Sequence, residues 1–191
     1  MILSTRFEQA LRYAAILHSG QAKKGTAVPY IGHLLMMVTG IALEHGADED
    51  EAIAALLHDA VEDQGGKGRL ADIRGRFGER VATIVEGCTD TDVTPKPDWN
   101  ERKRQYVEHL RHEENPSVLL VCASDKLANT RAILGDYRQI GEDVWKRFSG
   151  GREGTLWYYR TLTSVLLEKT PTSPLVLELE RVVSDLEALS A

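Results

Sequence analysis

Cysteine is scarce in this chain of 191 residues: there are two, Cys88 and Cys122, far apart in sequence and outside any CxxC pair. That excludes the disulfide framework of a small secreted domain and favours a reducing, cytoplasmic setting. Long apolar runs are missing too, and no stretch approaches the roughly 18 consecutive apolar residues of a membrane span. The opening MILSTRFEQA lacks the basic start and apolar run of a signal peptide, so none is expected. Basic excess is absent, with a formal net charge of −6. A general nucleic-acid surface, which needs a basic stripe, is therefore not expected. An anionic ligand would have to be held by a local basic cluster. There is no repeat, no low-complexity tract, and no strand-like alternation longer than a few residues.

What is present suffices for a core: 42% of residues are hydrophobic and 27% charged, in a length that suits one compact domain. Helical periodicity dominates. STRFEQALRYAAILHSG reads as a helix capped by Ser4, with Phe7, Leu11, Ala14, Ala15 and His18 recurring every 3–4 residues. VPYIGHLLMMVTGIALEHG reads as a second, with Pro29 in its first turn and Gly46 at its C′ position. ADEDEAIAALLHDAVED reads as a third, its acids at the positive N-terminal end and Gly65, Gly66 and Gly68 ending it. Two short helices should meet near Gly78, followed by a loop at VTPKPDW and a polar helix at NERKRQYVEHLRHEE. NPSVLLVCASDKLANTRAILGDYR should turn and then continue as an apolar helix. The remainder is helical, with a Gly-rich interruption at 150–154 and an amphipathic helix after TPTSP. The fold class is all-α: a compact multi-helix bundle over residues 1–168, with the C-terminal helix of 169–191 packed on the same domain.

The chemistry concentrates in LLHDAVED. If 50–63 is one helix, His58 lies one turn from Glu62 and Asp59 one turn from Asp63. Acids side by side repel unless something positive sits among them, and a divalent cation is the economical answer. A mixed nitrogen and oxygen set suits Mn²⁺, Fe²⁺, Zn²⁺ or Co²⁺ better than Ca²⁺. His33, inside the apolar YIGHLLMMV, and Asp125, after LLVCAS, are polar residues where core is expected and could point at the same spot. Each alone reads as a hydrogen-bonded core residue or solvated acid. Together they read as a metal site.

The pattern His33, His58-Asp59, Asp125 resembles the H…HD…D signature of HD-domain metal-dependent phosphohydrolases. HSGQAKKG, PYIGHLL, AALLHDAVEDQ, FGERVATIVEGCTD and SDKLANTRAI match in order the hydrolase domain of the RelA/SpoT type and the small stand-alone alarmone hydrolases. The resemblance implies an HD-domain bundle in which His33, His58, Asp59 and Asp125 hold one divalent metal, typically Mn²⁺. It implies that Glu62 and Asp63 orient the attacking water and shuttle protons, and that Lys23 and Lys24 contact the base and phosphates of a small anionic nucleotide. Lys126, Asn129 and Arg131 follow Asp125 as further substrate contacts. Arg102 and Lys103 read as a charged surface helix, with phosphate contacts as the other reading; His45, His109 and His112 read as surface, and most of Trp157, Tyr158 and Tyr159 as core, with a cap on a nucleobase as the other reading. The implied activity is removal of the 3′-pyrophosphate from (p)ppGpp. The family usually carries Arg where Lys23 stands, and Lys lacks the planar group that stacks on a purine. Another nucleotide, such as ppApp, NADPH or a nucleoside monophosphate, is the alternative, and a non-enzymatic regulatory module a third reading.

Overall fold

A computed structural model describes residues 2–93 and 95–190, apart from the side chain of Met36; Thr94 of the expected proline loop lies outside the described residues. Among the described residues there are ten α-helices and no strand, only an isolated antiparallel bridge between Ala22 and Pro29. α1 spans Thr5–Leu17, α2 Gly40–Glu44, α3 Glu49–Leu57, α4 Ala60–Gln64 and α5 Gly66–Phe77. α6 spans Glu79–Cys88, α7 Trp99–His112, α8 Pro116–Ile140, α9 Gly151–Lys169 and α10 Pro174–Leu189. A π-helical segment, His33–Thr39, leads into α2, and a 3₁₀ turn, Gly141–Arg147, joins α8 to α9.

The boundaries follow side-chain chemistry. The Ser4 hydroxyl accepts from the Arg6 amide to cap α1, and Asn115 caps α8 in the same way ahead of Pro116. Asp48 and Glu51 form a reciprocal capping box at the start of α3. Gly78 separates α5 from α6 with φ near 92°, a conformation that side chains resist. α8 is the axle. Its 25 residues are buried almost all round from Ser117 to Leu134, and α3, α6, α9, α10 and the π segment pack on it. A helix apolar on every side belongs inside a bundle. SVLLVCAS is thus helix rather than strand. α10 lies on α8 and α9 through Leu175, Leu179, Val183 and Leu186.

Several sequence expectations shift. Ala15 is exposed, and Ala10 takes its place in the core. Pro29 sits in the bridge with Ala22 before the helix rather than in its first turn. Gly68 lies inside α5. The third helix is not continuous: α3 ends at Leu57, α4 starts at Ala60, and His58-Asp59 form the joint. The His58 ring explains the break, because its Nδ1 donates at 2.8 Å to the Ala55 carbonyl and so competes for the last turn.

Candidate metal centre and the cavity beside it

Three elements deliver the central side chains. His33 opens the π segment, His58 stands at the α3–α4 joint, and Asp125 projects from the middle of α8. π turns place one extra residue in a helix and recur at functional sites. Here the Thr39 hydroxyl donates at 2.7 Å to the Leu34 carbonyl, five residues back. One ligand atom each of His33, His58 and Asp125 lies within 4.8 Å of the others, and all three residues are buried.

The nitrogens of this trio lack proper partners. His33 Nε2 lies 3.2 Å and His58 Nε2 3.5 Å from Asp125 Oδ1. Neither contact has hydrogen-bond geometry, and both Nε2 atoms are buried without a partner. An unmet buried polar atom costs about 1–3 kcal/mol. Because a carbonyl only accepts, the bond to Ala55 puts a proton on the His58 Nδ1 and turns Nε2 inward. Holding a ligating imidazole through its other nitrogen is the usual support of metal sites. Two imidazole nitrogens and a carboxylate oxygen, converging and unsatisfied, fit a divalent transition metal.

Asp59 stands beside the trio. Its Oδ2 lies 3.0 Å from His58 Nε2 and accepts the Tyr30 hydroxyl. Burial would raise the Asp59 carboxyl, but the facing His58 outweighs it and pulls it below the usual range. Burial also opposes the ionised Asp125, and Lys126 with the two His wins, holding it well below. His58 is the mirror case: burial would depress it, and Asp59 and Asp125 raise it well above the ordinary imidazole value. Both carboxylates are ionised and look for positive charge. Asp125 is braced on its far side, since Asn129 Nδ2 donates to Oδ1 at 2.6 Å and Lys126 Nζ to Oδ2 at 2.6 Å.

Glu62 and Asp63, on α4, meet a different environment. Lys96 of the α6–α7 loop bridges them, at 2.8 Å from Glu62 Oε1 and 3.0 Å from Asp63 Oδ1. Gln21 Nε2 donates to Asp63 Oδ2 at 2.8 Å. Behind Glu62 lies Arg102, 3.6 Å away. Burial and the nearby Asp59 push the Glu62 carboxyl up, and Lys96 offsets only part of that. Arg102 and Lys103 are not surface residues. Both turn inward onto Asp90, at 2.6 and 2.5 Å from its Oδ2. Asp90 is 5% exposed and leaves Oδ1 without a partner.

A cavity of about 230 Å³ opens between these groups, with Asp59, Glu62, Asp63, Asp125, Lys103, Lys126 and Asn129 in its polar wall. Tyr30, Trp99, Phe148, Thr155, Tyr158 and Tyr159 complete it. Lys103 and Lys126 both approach the Tyr158 ring, at 4.9 and 5.9 Å from its centroid. The Gly-rich segment gives Trp99 its seat: a Cβ on Gly150 would meet the indole at 2.5 Å. Tyr158 and Tyr159 are buried as expected, while Trp157 is 39% exposed. His109 and His112 are exposed as expected, whereas His45 is half-buried.

Three of the expected substrate contacts do not line this cavity. Lys23 pairs with Asp136 at 3.7 Å, Lys24 is exposed, and Arg131 pairs with Glu178 of α10. Sequence reasoning passed over Tyr30, Gln21, Asp90, Lys96 and Trp99. Tyr30 alone left a signal there, standing three residues before His33 at a helical spacing. The others arrive through loops and helix starts, where spacing says nothing about direction.

The chain is 38% identical over 127 residues to the guanosine-3′,5′-bis(diphosphate) 3′-pyrophosphohydrolase of Aquifex aeolicus, covering 66% of this chain and 17% of that longer protein. It is equally similar to the enzyme of that name, MESH1, from Danio rerio, covering 65% of this chain and 67% of the relative. A solved structure described as a metazoan ortholog of SpoT that hydrolyses ppGpp superposes with a TM-score of 0.75 and 26% identity, over 96% of this chain and 97% of that one. A Listeria monocytogenes structure gives a TM-score of 0.69 and 30% identity, over 80% of this chain and 96% of its own. Among the described residues no helix is long and apolar enough to cross a membrane. The HD domain family matches residues 10–156, and the chain belongs to it.

Proposed function

We propose that this protein is a metal-dependent phosphohydrolase that removes the 3′-pyrophosphate from (p)ppGpp or a close nucleotide relative. The observation that carries the reading is the pair of buried, unpartnered imidazole nitrogens aimed at Asp125, beside a cavity with cationic and aromatic walls. His33, His58, Asp125 and, beside them, Asp59 hold the divalent metal, Mn²⁺ by family resemblance. When bound, such an ion polarises a phosphoryl group and lowers the pKa of water.

The chain's own side chains do the rest. Glu62, its carboxyl raised by burial, takes a proton from the attacking water more readily than an ordinary carboxylate and returns it to the leaving oxygen. Asp63 orients that water, and Gln21 fixes Asp63. Lys103, Lys126 and Lys96 neutralise phosphate oxygens. Trp99, Phe148 and Tyr158 supply flat faces for a base. Residues 1–168 carry catalysis, with 169–191 as a buttress behind α8. The setting is cytoplasmic, in keeping with two free thiols.

One observation keeps a second substrate in view. Lys23 stands where the family has Arg and is engaged by Asp136, so guanine selection has lost an expected contact. Another nucleotide, ppApp, NADPH or a nucleoside monophosphate, is the alternative. The test is pyrophosphate release by Mn²⁺-loaded protein from ppGpp, run beside ppApp, NADPH and nucleoside monophosphates. Release from ppGpp is expected. Phosphate release from monophosphates with ppGpp untouched overturns the reading.

A further inference from the structure

Cys88 and Cys122 are 34 positions apart in sequence, yet their sulfurs lie 3.5 Å apart where α6 ends against α8. Gly87 makes the approach possible, because a Cβ there would meet the Val118 side chain at 2.7 Å. The helices close at that glycine, and the next residue delivers its thiol to Cys122. The Tyr106 hydroxyl lies 2.9 Å from the Cys122 sulfur. Cys122 is 1% exposed, whereas Cys88 is only half-buried. A surface cavity of about 270 Å³ is lined by Thr89, which follows Cys88, and by Tyr106, which contacts Cys122, though by neither sulfur itself, so the half-buried Cys88 is the thiol a small oxidant reaches first.

We infer that Cys88 and Cys122 are a dithiol that a hydroperoxide oxidises to an intrachain disulfide, and that this closure lowers activity. The proximity is specific. These are the chain's two cysteines, each on a segment that goes on to carry a residue of the site. Two residues after Cys88 comes Asp90, which holds Arg102 and Lys103. Three residues after Cys122 comes Asp125. Closing the bond draws the sulfurs from 3.5 Å to about 2.05 Å. That shifts the end of α6 against α8 and removes the Cys122 thiol proton beside the Tyr106 hydroxyl, whose ring faces Lys126 at 5.5 Å.

The chemistry balances. The thiolate of one cysteine attacks the outer peroxide oxygen, the O–O bond breaks, and a sulfenic acid forms while the expelled oxygen takes up the proton the thiol gave up, leaving as an alcohol or, from hydrogen peroxide, as water. The second thiol attacks the sulfenic sulfur, the S–O bond breaks, and hydroxide leaves with the thiol proton as water. Two electrons pass from the thiols to the peroxide. A thiol reductant reverses the change.

The effect on activity rests on the proposed hydrolase function, whereas bond formation does not. The full-length, metal-loaded protein is treated with hydrogen peroxide, then read by intact mass, thiol titration and ppGpp hydrolysis. The expected result is a mass lower by two hydrogens, loss of both titratable thiols, and a fall in rate of about tenfold or more, the size seen when groups behind ligands shift. A reductant restores the rate. Cys88→Ser, with Cys88→Ala as a second variant, keeps its rate through mild oxidation, and circular dichroism confirms that each is folded. Thiols that remain titratable, or gain oxygen without pairing, overturn the inference. A disulfide that leaves the rate unchanged overturns its link to activity.

Discussion

His58 and Asp59 sit beside buried imidazole nitrogens that lack partners, whereas Glu62 and Asp63, a turn further on, are already gripped by Lys96 and Gln21. The four residues come from one short stretch, HDAVED. Their circumstances differ because His58 and Asp59 form the joint between α3 and α4 whereas Glu62 and Asp63 ride on α4, which aims the pairs at different neighbours. The first pair joins His33 and Asp125 around a point that no protein cation fills. The second pair is neutralised by a lysine that is 37% exposed and able to yield to a substrate phosphate. One lysine neutralises Glu62 and Asp63, while the imidazole nitrogens beside Asp59 have no such partner, a contrast that suits the proposed division between holding a metal and moving protons.

Substitutions can break this contrast, from the largest expected effect to the smallest. Glu62→Gln should keep the metal and lose roughly 10²–10⁴-fold in turnover, the usual contribution of a positioned general base. Metal analysis beside kinetics checks it, and loss of the metal from this variant would erase the distinction between the pairs. Asp90→Asn strips Arg102 and Lys103 of a shared, buried carboxylate. It should cost about 3–5 kcal/mol in denaturant unfolding, the range for a broken buried pair. Asn129→Ala removes the 2.6 Å support of Asp125 Oδ1 and should weaken metal affinity by about 10–100-fold, as read by competition with a chelator.

The smallest change sharpens the second half. Lys96 draws the Glu62 carboxyl down against burial. In Lys96→Ala that pull is gone, so Glu62 rises further and is protonated at higher pH. Since the basic form is lost as pH falls through its pKa, the acid limb of the kcat/KM profile should move to higher pH. A limb that stays in place or moves lower would show that Glu62 is not the titrating base. Arg131→Ala, at an exposed pair with Glu178, should alter folding stability by less than about 0.5 kcal/mol.

Much of the architecture is legible in the sequence because it rests on local signals. Ser4 caps α1, Gly78 parts α5 from α6, and the apolar run around Cys122 belongs to a buried helix. The trio is legible for a similar reason: His33, His58 and Asp125 are polar residues in apolar stretches, and burying them uncompensated would be expensive. The joint at His58-Asp59 is hidden, because a side chain bonding its own backbone leaves no trace in a periodicity. Direction is hidden as well. Lys103 and Arg131 are both cations on helices, yet one turns into the cavity wall and the other onto α10. What decides between them is a carboxylate from a distant segment, Asp90 in one case and Glu178 in the other. The proximity of Cys88 and Cys122 depends likewise on a contact made only in the folded bundle, at Gly87 against Val118.

The central claim is that the buried trio holds the catalytic metal. Bound divalent metal and pyrophosphate release from ppGpp, measured on the same preparations of wild type and His58→Ala, test it most directly. The account predicts a wild type that carries the ion and hydrolyses ppGpp, and a folded variant that has lost both. A folded His58→Ala protein that retains its metal at the wild-type level would contradict it.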